Sequence, residues 1–295
     1  LRLWDLKSGS SEVFEGHTEP IQGVHLLDNN QALSWSWDGA LRLWDLKSGS
    51  SEVFEGHTEW VIGVHLLDNN QALSWSGDCT LRLWDLKSGS SEVFEGHTGP
   101  LSGVHLLEDD KALSWADDLT LRLWDLKSGS SEVFEGYTQS VVGIHLLENN
   151  QALSWSDDGT LRLWNLRDGS SKVFEGHTKG VQGVHLMEDN RALSWSSDGT
   201  LRLWNLKSGS SEVFEGHTEP IQGVHLLDDN HALSWSGDGT LILWDLTNDI
   251  ITKYFFEGIS KVFLTQLSNR ILCFNNFGRH RILELSDSIS LSRNY

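Results

Sequence analysis

Seven tryptophans recur at a constant interval of 40 residues along the chain. Each is followed by Asp or Asn, and a Gly-His or Gly-Tyr pair stands 12 residues after each of the first six. A fixed period of this length is typical of stacked units that bury their faces only against one another. The sequence therefore predicts a repeat array instead of a single hydrophobic core. The tryptophans are Trp4, Trp44, Trp84, Trp124, Trp164, Trp204 and Trp244.

Each unit is predicted to hold four short antiparallel strands, a to d. In the first complete unit these are Ile21–Leu27, Gln31–Ser36, Leu41–Leu46 and Glu52–Glu55. The runs alternate apolar and polar residues, and turns rich in Asp, Asn, Gly and Ser separate them. Helical periodicity is absent throughout the repeats.

Units of about 40 residues with Gly-His near the start and Trp-Asp at the end resemble the WD-repeat β-propeller family. The resemblance covers nearly the whole chain. It implies an all-β fold: a seven-bladed β-propeller of four-stranded antiparallel blades, with strand a innermost and strand d at the rim. We expect residues 1–295 to form a single, monomeric ring in which residues 258–295 are a degenerate last blade.

The first 15 residues hold a strand c and a strand d without strands a and b ahead of them. In the family, an N-terminal strand d commonly closes the ring, which predicts that residues 12–15 of the half-repeat 1–15 pair with residues 282–285. An alternative stays open: if half a repeat preceded Leu1, the ring would have eight blades. The missing initiator Met suggests a piece of a longer protein.

Four polar positions recur in each unit and include a Ser, a His and an Asp, the residue types of a nucleophilic triad. In the family that the chain resembles, they form buried hydrogen-bond chains that tie strand c to strand b and to two loops. Because one active site repeated in every unit would be unusual, we expect a structural role and no enzyme. The fourth unit has Tyr137 in place of the His, so its chain should be weaker or rebuilt through the phenol. The predicted chains are His17, Ser34, Asp38 and Trp44; His57, Ser74, Asp78 and Trp84; His97, Ser114, Asp118 and Trp124; His177, Ser194, Asp198 and Trp204; and His217, Ser234, Asp238 and Trp244.

Thirteen of the 15 tryptophans belong to the repeated framework, seven on strand c and six on strand b. The strand-b tryptophans, from Trp35 onwards, are predicted to pack between blades. One His per unit recurs on strand a, from His25 onwards. Neighbours in such a ring stand about 10 Å apart, whereas zinc needs its nitrogen ligands about 2 Å from one ion. We therefore expect packing or channel hydration for these histidines, and neither a metal nor a cofactor.

Composition excludes several function classes. Lys and Arg number 22 against 42 Asp and Glu, a net charge of −20, and such a surface repels nucleic-acid phosphates. No apolar run approaches the roughly 18 to 20 residues that span a bilayer. The two cysteines, Cys79 and Cys273, and the absence of glycosylation sequons favour a reducing, cytoplasmic setting. We expect neither a nucleic acid nor a membrane as partner.

The six complete units differ chiefly in the loop that enters strand a, one step into strand a, and just before the turn Asp that follows strand b. The predicted topology places these positions at one end of the blades, and we call them the variable face. Loops on a rigid scaffold commonly carry recognition. The predicted partner-binding residues are Glu19, Gln22, Trp37, Glu59, Trp60, Ile62, Asp117, Gln139, Asp157 and Lys179.

Trp37 and Trp60 are predicted to be neighbours across a blade junction and to anchor a partner, with Ile62 extending the apolar patch. Asp117 and Asp157 would form an acidic sector, which suits a protein or peptide that carries basic residues.

We interpret the chain as a non-catalytic protein- or peptide-binding scaffold or recognition domain, the propeller part of a larger intracellular signalling or defence-type protein. The alternative is a propeller enzyme or small-molecule binder that uses the central channel. That alternative would need unlike polar groups converging at the channel mouth, whereas strand a offers mostly repeated ones.

Overall fold

The structure is a computed structural model that describes residues 1–67, 70–248, 250–255, 259–264, 270–275 and 280–284. Within them the chain forms short antiparallel strands, and the one helical segment is a 3₁₀ turn at Asp28–Asn30. These residues include no helix with the length and hydropathy that a bilayer crossing demands. The chain divides into two compact units, Leu1–Val141 and Val142–Tyr295.

The first unit begins with a two-stranded sheet of β1 (Arg2–Trp4) and β2 (Ser11–Val13). Three four-stranded sheets follow, and we number them 1 to 3. Sheet 1 is β3 (Ile21–Leu27), β4 (Gln31–Ser36), β5 (Leu41–Asp45) and β6 (Ser51–Phe54); sheet 2 is β7 (Val61–Leu67), β8 (Gln71–Ser76), β9 (Leu81–Asp85) and β10 (Ser91–Phe94); sheet 3 is β11 (Leu101–Leu107), β12 (Lys111–Ala116), β13 (Leu121–Asp125) and β14 (Ser131–Phe134).

The second unit continues the pattern with sheets 4 to 7, the last of which has three strands among the described residues. Sheet 4 is β15 (Val141–Leu147), β16 (Gln151–Ser156), β17 (Leu161–Asn165) and β18 (Ser171–Phe174); sheet 5 is β19 (Val181–Met187), β20 (Arg191–Ser196), β21 (Thr200–Asn205) and β22 (Ser211–Glu215); sheet 6 is β23 (Ile221–Asp228), β24 (His231–Ser236), β25 (Thr240–Asp245) and β26 (Ile250–Phe255); sheet 7 is β27 (Ile259–Leu264), β28 (Arg270–Asn275) and β29 (His280–Glu284).

Seven a-b-c units are present, which confirms that count, and strands a and b of sheet 1 have the predicted bounds. Strand c ends at Asp45, one residue early, because the Asp45 carboxylate accepts the N–H groups of Lys47 and Ser48 and starts the turn there. In the described residues β2 pairs with β1. The predicted pairing of residues 12–15 with residues 282–285 extends to residue 285, which lies outside the described residues, and it stays a prediction.

Within each compact unit, the core lies between consecutive sheets. Leu33, Trp35 and Phe54 of sheet 1 form one buried cluster with Val61 and Trp84 of sheet 2. Truncating a buried Phe or Trp to Ala costs about 3–5 kcal/mol, so each sheet depends strongly on its neighbour. The packing role predicted for the strand-b tryptophans is what Trp35 shows here.

The framework role predicted for Trp4 is wrong. The side chain is 55% exposed, whereas the six later strand-c tryptophans are exposed by at most 2%. The described residues do not include strands a and b of the same repeat, which supply the Ser and His partners of the later tryptophans.

Candidate functional site

A buried hydrogen-bond chain links four side chains of sheet 1 and its entry loop. The Trp44 indole N–H donates to Ser34 Oγ across 2.8 Å, and Ser34 Oγ lies 2.8 Å from His17 Nε2. Ser34 accepts from Trp44, because an indole can only donate. It donates to Nε2, because Nδ1 faces the Asp38 carboxylate, which can only accept, and Nε2 of the neutral ring is then the acceptor. His17 Nδ1 then carries the proton and donates to the Asp38 carboxylate across 2.9 Å. Every donor in the chain has a matched acceptor.

The same chain recurs in sheets 2, 3, 5 and 6. The His Nε2 to Ser Oγ distance is 2.7 Å in all four. The His Nδ1 to Asp distances run from 2.8 to 3.2 Å. In sheet 4, Trp164 still donates to Ser154 across 2.7 Å, and Tyr137 is buried. The four recurring sets are His57, Ser74, Asp78 and Trp84; His97, Ser114, Asp118 and Trp124; His177, Ser194, Asp198 and Trp204; and His217, Ser234, Asp238 and Trp244.

Electrostatics agrees with a neutral imidazole beside an ionised carboxylate. Burial lowers the pKa of His17 below its ordinary value of 6.5, although the hydrogen bond to Asp38 opposes that effect. Burial alone raises the pKa of Asp38, but the N–H of Thr18 and the imidazole of His17 outweigh it and hold the pKa below 3.8. Both groups are therefore in the forms that the hydrogen bonds require at neutral pH.

The hydrogen-bond chain of Ser34, His17 and Asp38 contains the contacts of a nucleophilic triad but cannot act as one. Ser34 has no exposed surface, and its oxygen already accepts the N–H of Trp44. A nucleophilic serine needs an open approach for the reacting carbonyl carbon. These contacts fit a structural role.

The hydrogen-bond chain also positions the variable face. Asp38 accepts the N–H of Thr18 across 3.0 Å and that of Ala40 across 3.0 Å. The Asp38 carboxylate thus fastens the turn after strand b to the loop that enters strand a. Trp37 directly precedes Asp38 in the turn, and Glu19 directly follows Thr18 in the loop. The backbone that carries the variable residues is therefore fixed by the hydrogen bonds of the repeated Asp.

A β-bulge presents the variable residue inside strand a. The pairing of β7 with β8 steps from Val61 to Gly63 and leaves Ile62 without a cross-strand partner. Bulges re-aim a side chain and are common beside functional sites. Sequence reasoning missed this bulge, and the glycine that follows the variable position was the available signal. The equivalent residues at bulges are Gln22, Ser102, Gln182 and Gln222.

In the first compact unit, residues 1–141, the structure brings the loops of Trp37 and Trp60 together. Trp37 is 53% exposed and Trp60 is 42% exposed. A Cβ added at Gly39, in the turn of Trp37, would lie 3.2 Å from the carbonyl oxygen of Glu59, in the loop of Trp60. The Trp60 ring lies over Gly77 of its own sheet.

The polar residues predicted for the first unit are at its surface. Ile62 beside them is half-buried, and the Ser102 hydroxyl lies 3.4 Å from the Asp117 carboxylate. The polar predicted residues that are exposed here are Glu19, Gln22, Glu59, Asp117 and Gln139.

In the second compact unit, which begins at Val142, Asp157 and Lys179 are both exposed. A Cβ added at Gly159, two residues after Asp157, would lie 3.1 Å from the Lys179 carbonyl oxygen. The loop that carries Lys179 therefore adjoins the turn that carries Asp157. The predicted acidic sector that joins Asp117 to Asp157 stays a prediction.

The strand-a histidines have a role that the sequence did not reveal. His25 Nε2 lies 2.8 Å from the carbonyl oxygen of Val64 on strand a of the next sheet, so Nε2 carries the proton and donates. The His25 ring also lies 5.0 Å from the Trp35 ring, centroid to centroid. The described residues contain no group of three or more His, Cys, Asp or Glu side chains that could hold a metal ion.

Comparisons with known proteins agree with this architecture. Among solved structures, 1615 chains match. One is the crystal structure of the computationally designed Ika8 protein, 21% identical, with a TM-score of 0.64 over 96% of this chain and 90% of the Ika8 chain. The fold class is thus the predicted one, an all-β propeller with seven a-b-c units among the described residues.

The family follows from the sequence match. The family model described as WD40, "WD domain, G-beta repeat", matches residues 9–45, 49–85, 169–205 and 209–245, just over half of the chain. The chain belongs to the WD40 repeat family. No curated protein matches it significantly.

Proposed function

We propose that the chain is a non-catalytic recognition domain that binds a protein or peptide through the variable face. WD40 repeats on a propeller fold are features of interaction scaffolds. The observation that carries the proposal is the exposure of two indoles, Trp37 and Trp60, on adjoining loops of a rigid framework.

Exposed indoles are costly unless they serve contact. Trp37 and Trp60 each leave close to half of their surface in water, whereas every strand-c tryptophan from Trp44 onwards is buried. Tryptophan is enriched among residues that dominate binding energy, because it offers a large rigid surface with little entropy to lose. The half-buried Ile62 widens the apolar surface beside Trp60.

Charge around the two indoles sets the partner's chemistry. Glu19 and Glu59 are exposed in the loops that carry Pro20 and Trp60, and Asp117 is exposed in the turn of sheet 3. Carboxylates around an apolar anchor attract a partner with Lys or Arg and repel an acidic one. Arg and Lys also bind well over indole faces. We therefore propose a basic protein or peptide segment as the partner.

The wider setting that we propose is a larger intracellular protein of signalling or defence type. A free Cys79 and the lack of glycosylation sequons support a reducing compartment. The link to signalling or defence rests on analogy with other repeat arrays that keep a framework and vary one face.

A display library of short random peptides tests the proposal. We expect selection on the wild-type chain to enrich peptides rich in Arg and Lys. The double variant Trp37→Ser, Trp60→Ser should bind the selected peptides roughly thirtyfold more weakly, the equivalent of losing a hot spot of about 2 kcal/mol.

Trp4→Ser is the matched control, because Trp4 is as exposed as Trp37 but stands outside the variable face. The control should bind like the wild type, and thermal unfolding should show all three proteins folded. Unchanged binding by the double variant, or an equal loss in Trp4→Ser, would show that the variable face is not the binding surface.

A further inference from the structure

The Trp60 indole occupies the space that a side chain at residue 77 would need. A Cβ added at Gly77 would lie 2.5 Å from Trp60 Cε2, 2.8 Å from Cζ2 and 2.9 Å from Nε1. Real Cβ contacts are essentially never this short. Gly77 does not have a positive φ, so the glycine is needed for space and not for backbone conformation. The Gly77 N–H also donates to the Trp60 carbonyl oxygen across 3.0 Å.

Sheet 6 provides a natural comparison, since Gly237 stands at the same position of the repeat and faces Pro220 instead of Trp. A Cβ added at Gly237 would meet nothing closer than 3.7 Å. The same residue type is therefore spatially required in sheet 2 and replaceable in sheet 6. All three short contacts in sheet 2 are to the ring of the aromatic residue at position 60.

The residue that enters strand a also contacts the preceding sheet. At the junction of sheets 4 and 5, Gly180 stands at the repeat position of Trp60. Asp157 of sheet 4 stands at the repeat position of Trp37. A Cβ added at Gly180 would lie 2.7 Å from Asp157 Oδ1. The residue at this position of the repeat therefore lies beside the turn of the sheet before. In sheet 2 the loop of Trp60 likewise adjoins the turn of Trp37, since a Cβ added at Gly39 would lie 3.2 Å from the Glu59 carbonyl oxygen.

We propose that Gly77 is a positioning residue that fixes the Trp60 indole beside the turn that carries Trp37, and that Gly77, Trp60 and Trp37 form one peptide-binding unit across the junction of two sheets. This inference rests on the proposed function for its binding consequence. The residue that enters strand a lies beside the turn of its own sheet and beside the turn of the sheet before. Exchanging a single repeat would therefore alter two binding units at once, and specificity belongs to pairs of neighbouring repeats.

The test compares Gly77→Ala with Gly237→Ala. The indole N–H signals of ¹⁵N-tryptophan-labelled protein report the environment of Trp60, and a Trp60→Ser spectrum assigns its signal. We expect Gly77→Ala to move the Trp60 signal and to weaken binding of the selected basic peptide about tenfold, as for loss of a contact at a hot spot. Gly237→Ala should change neither.

A double variant shows whether Gly77 acts through Trp60. In a Trp60→Ser background, Gly77→Ala should cause no further loss of affinity. If Gly77→Ala alone fails to fold, adding Trp60→Ser should restore folding, because it removes the clash. An unmoved Trp60 signal, an affinity loss that persists without Trp60, or a failure to restore folding would overturn the inference. If the wild type binds no basic peptide, the proposed function fails, while the indole signal still decides whether Gly77 positions Trp60.

Discussion

His57 and Asp78 are joined by a hydrogen bond of 2.9 Å from Nδ1 to the carboxylate. The same carboxylate accepts the N–H of Thr58 across 3.0 Å. Through these two bonds, the loop that carries Trp60 is fixed to the turn that carries Gly77. The invariant part of the repeat therefore determines where the variable part stands.

Ser74→Ala tests the strength of that framework. Ser74 has no exposed surface, and its hydroxyl serves both His57 and Trp84. Removing it leaves two buried ring nitrogens without a partner, at about 1–3 kcal/mol for each. We expect the free energy of unfolding, measured by chemical denaturation, to fall by about 2 kcal/mol or more.

Ser88→Ala is the matched control, because the Ser88 hydroxyl lies in an exposed turn, where it bonds Ser90. We expect a change below about 0.5 kcal/mol for it. Equal effects of the two substitutions would mean that the buried chain adds nothing to stability.

The periodic framework could be predicted from the sequence because each element leaves a local signal. Alternating apolar residues, turn residues and the 40-residue spacing located sheet 1 to within a residue. The hydrogen-bond chains followed from the family resemblance, since a His, Ser, Asp and Trp recur in phase. Trp4 carries the same marker and is nevertheless exposed, so the marker alone does not predict burial.

The site could be predicted only in part. Variation among the repeats singled out Trp37 and Trp60, and their loops do adjoin. The contact of Trp60 with Gly77 links residues 17 positions apart by steric fit, and Gly77 on its own resembles any turn glycine. The bulge at Ile62 depends on register between two strands, which no local pattern determines.

Acid should destabilise the protein in two stages. Burial lowers the pKa of His97, His177 and His217 below 6.5, so the unfolded chain binds protons first as the pH falls. Stability that is fully present above pH 6.5 is therefore lost progressively below it. The second stage begins below pH 3.8. Burial alone raises the pKa of Asp198, but hydrogen bonds from Thr178 and Thr200 lower it to about 2.

Denaturation curves at about pH 7.5 and about pH 5.5 test the first stage. We expect a smaller free energy of unfolding at the lower pH. Loss of net negative charge acts in the opposite direction, because it weakens self-repulsion in a chain of net charge −20. With salt added to screen that repulsion, a constant or rising free energy on acidification would contradict neutral buried histidines.

Leu119→Gly should stabilise sheet 3. Leu119 has a φ of +69°, in the turn where sheet 1 has Gly39 and sheet 4 has Gly159. A left-handed conformation costs a residue with a Cβ about 1–2 kcal/mol, part of which glycine's greater freedom in the unfolded chain offsets. We expect thermal and chemical unfolding to show a gain of about 0.5–1 kcal/mol. Leu119→Ala is the control, since it keeps the Cβ, and a gain as large as that of glycine would contradict the strain.

The most direct test of recognition by the variable face is a titration of ¹⁵N-tryptophan-labelled protein with a selected basic peptide. The chain has 15 tryptophans, each with one indole N–H signal. We predict that the signals of Trp37 and Trp60 move with the peptide concentration, while those of exposed Trp4 and buried Trp44 stay in place. Binding that moves Trp4 or the framework signals and leaves Trp37 and Trp60 unchanged would contradict the account.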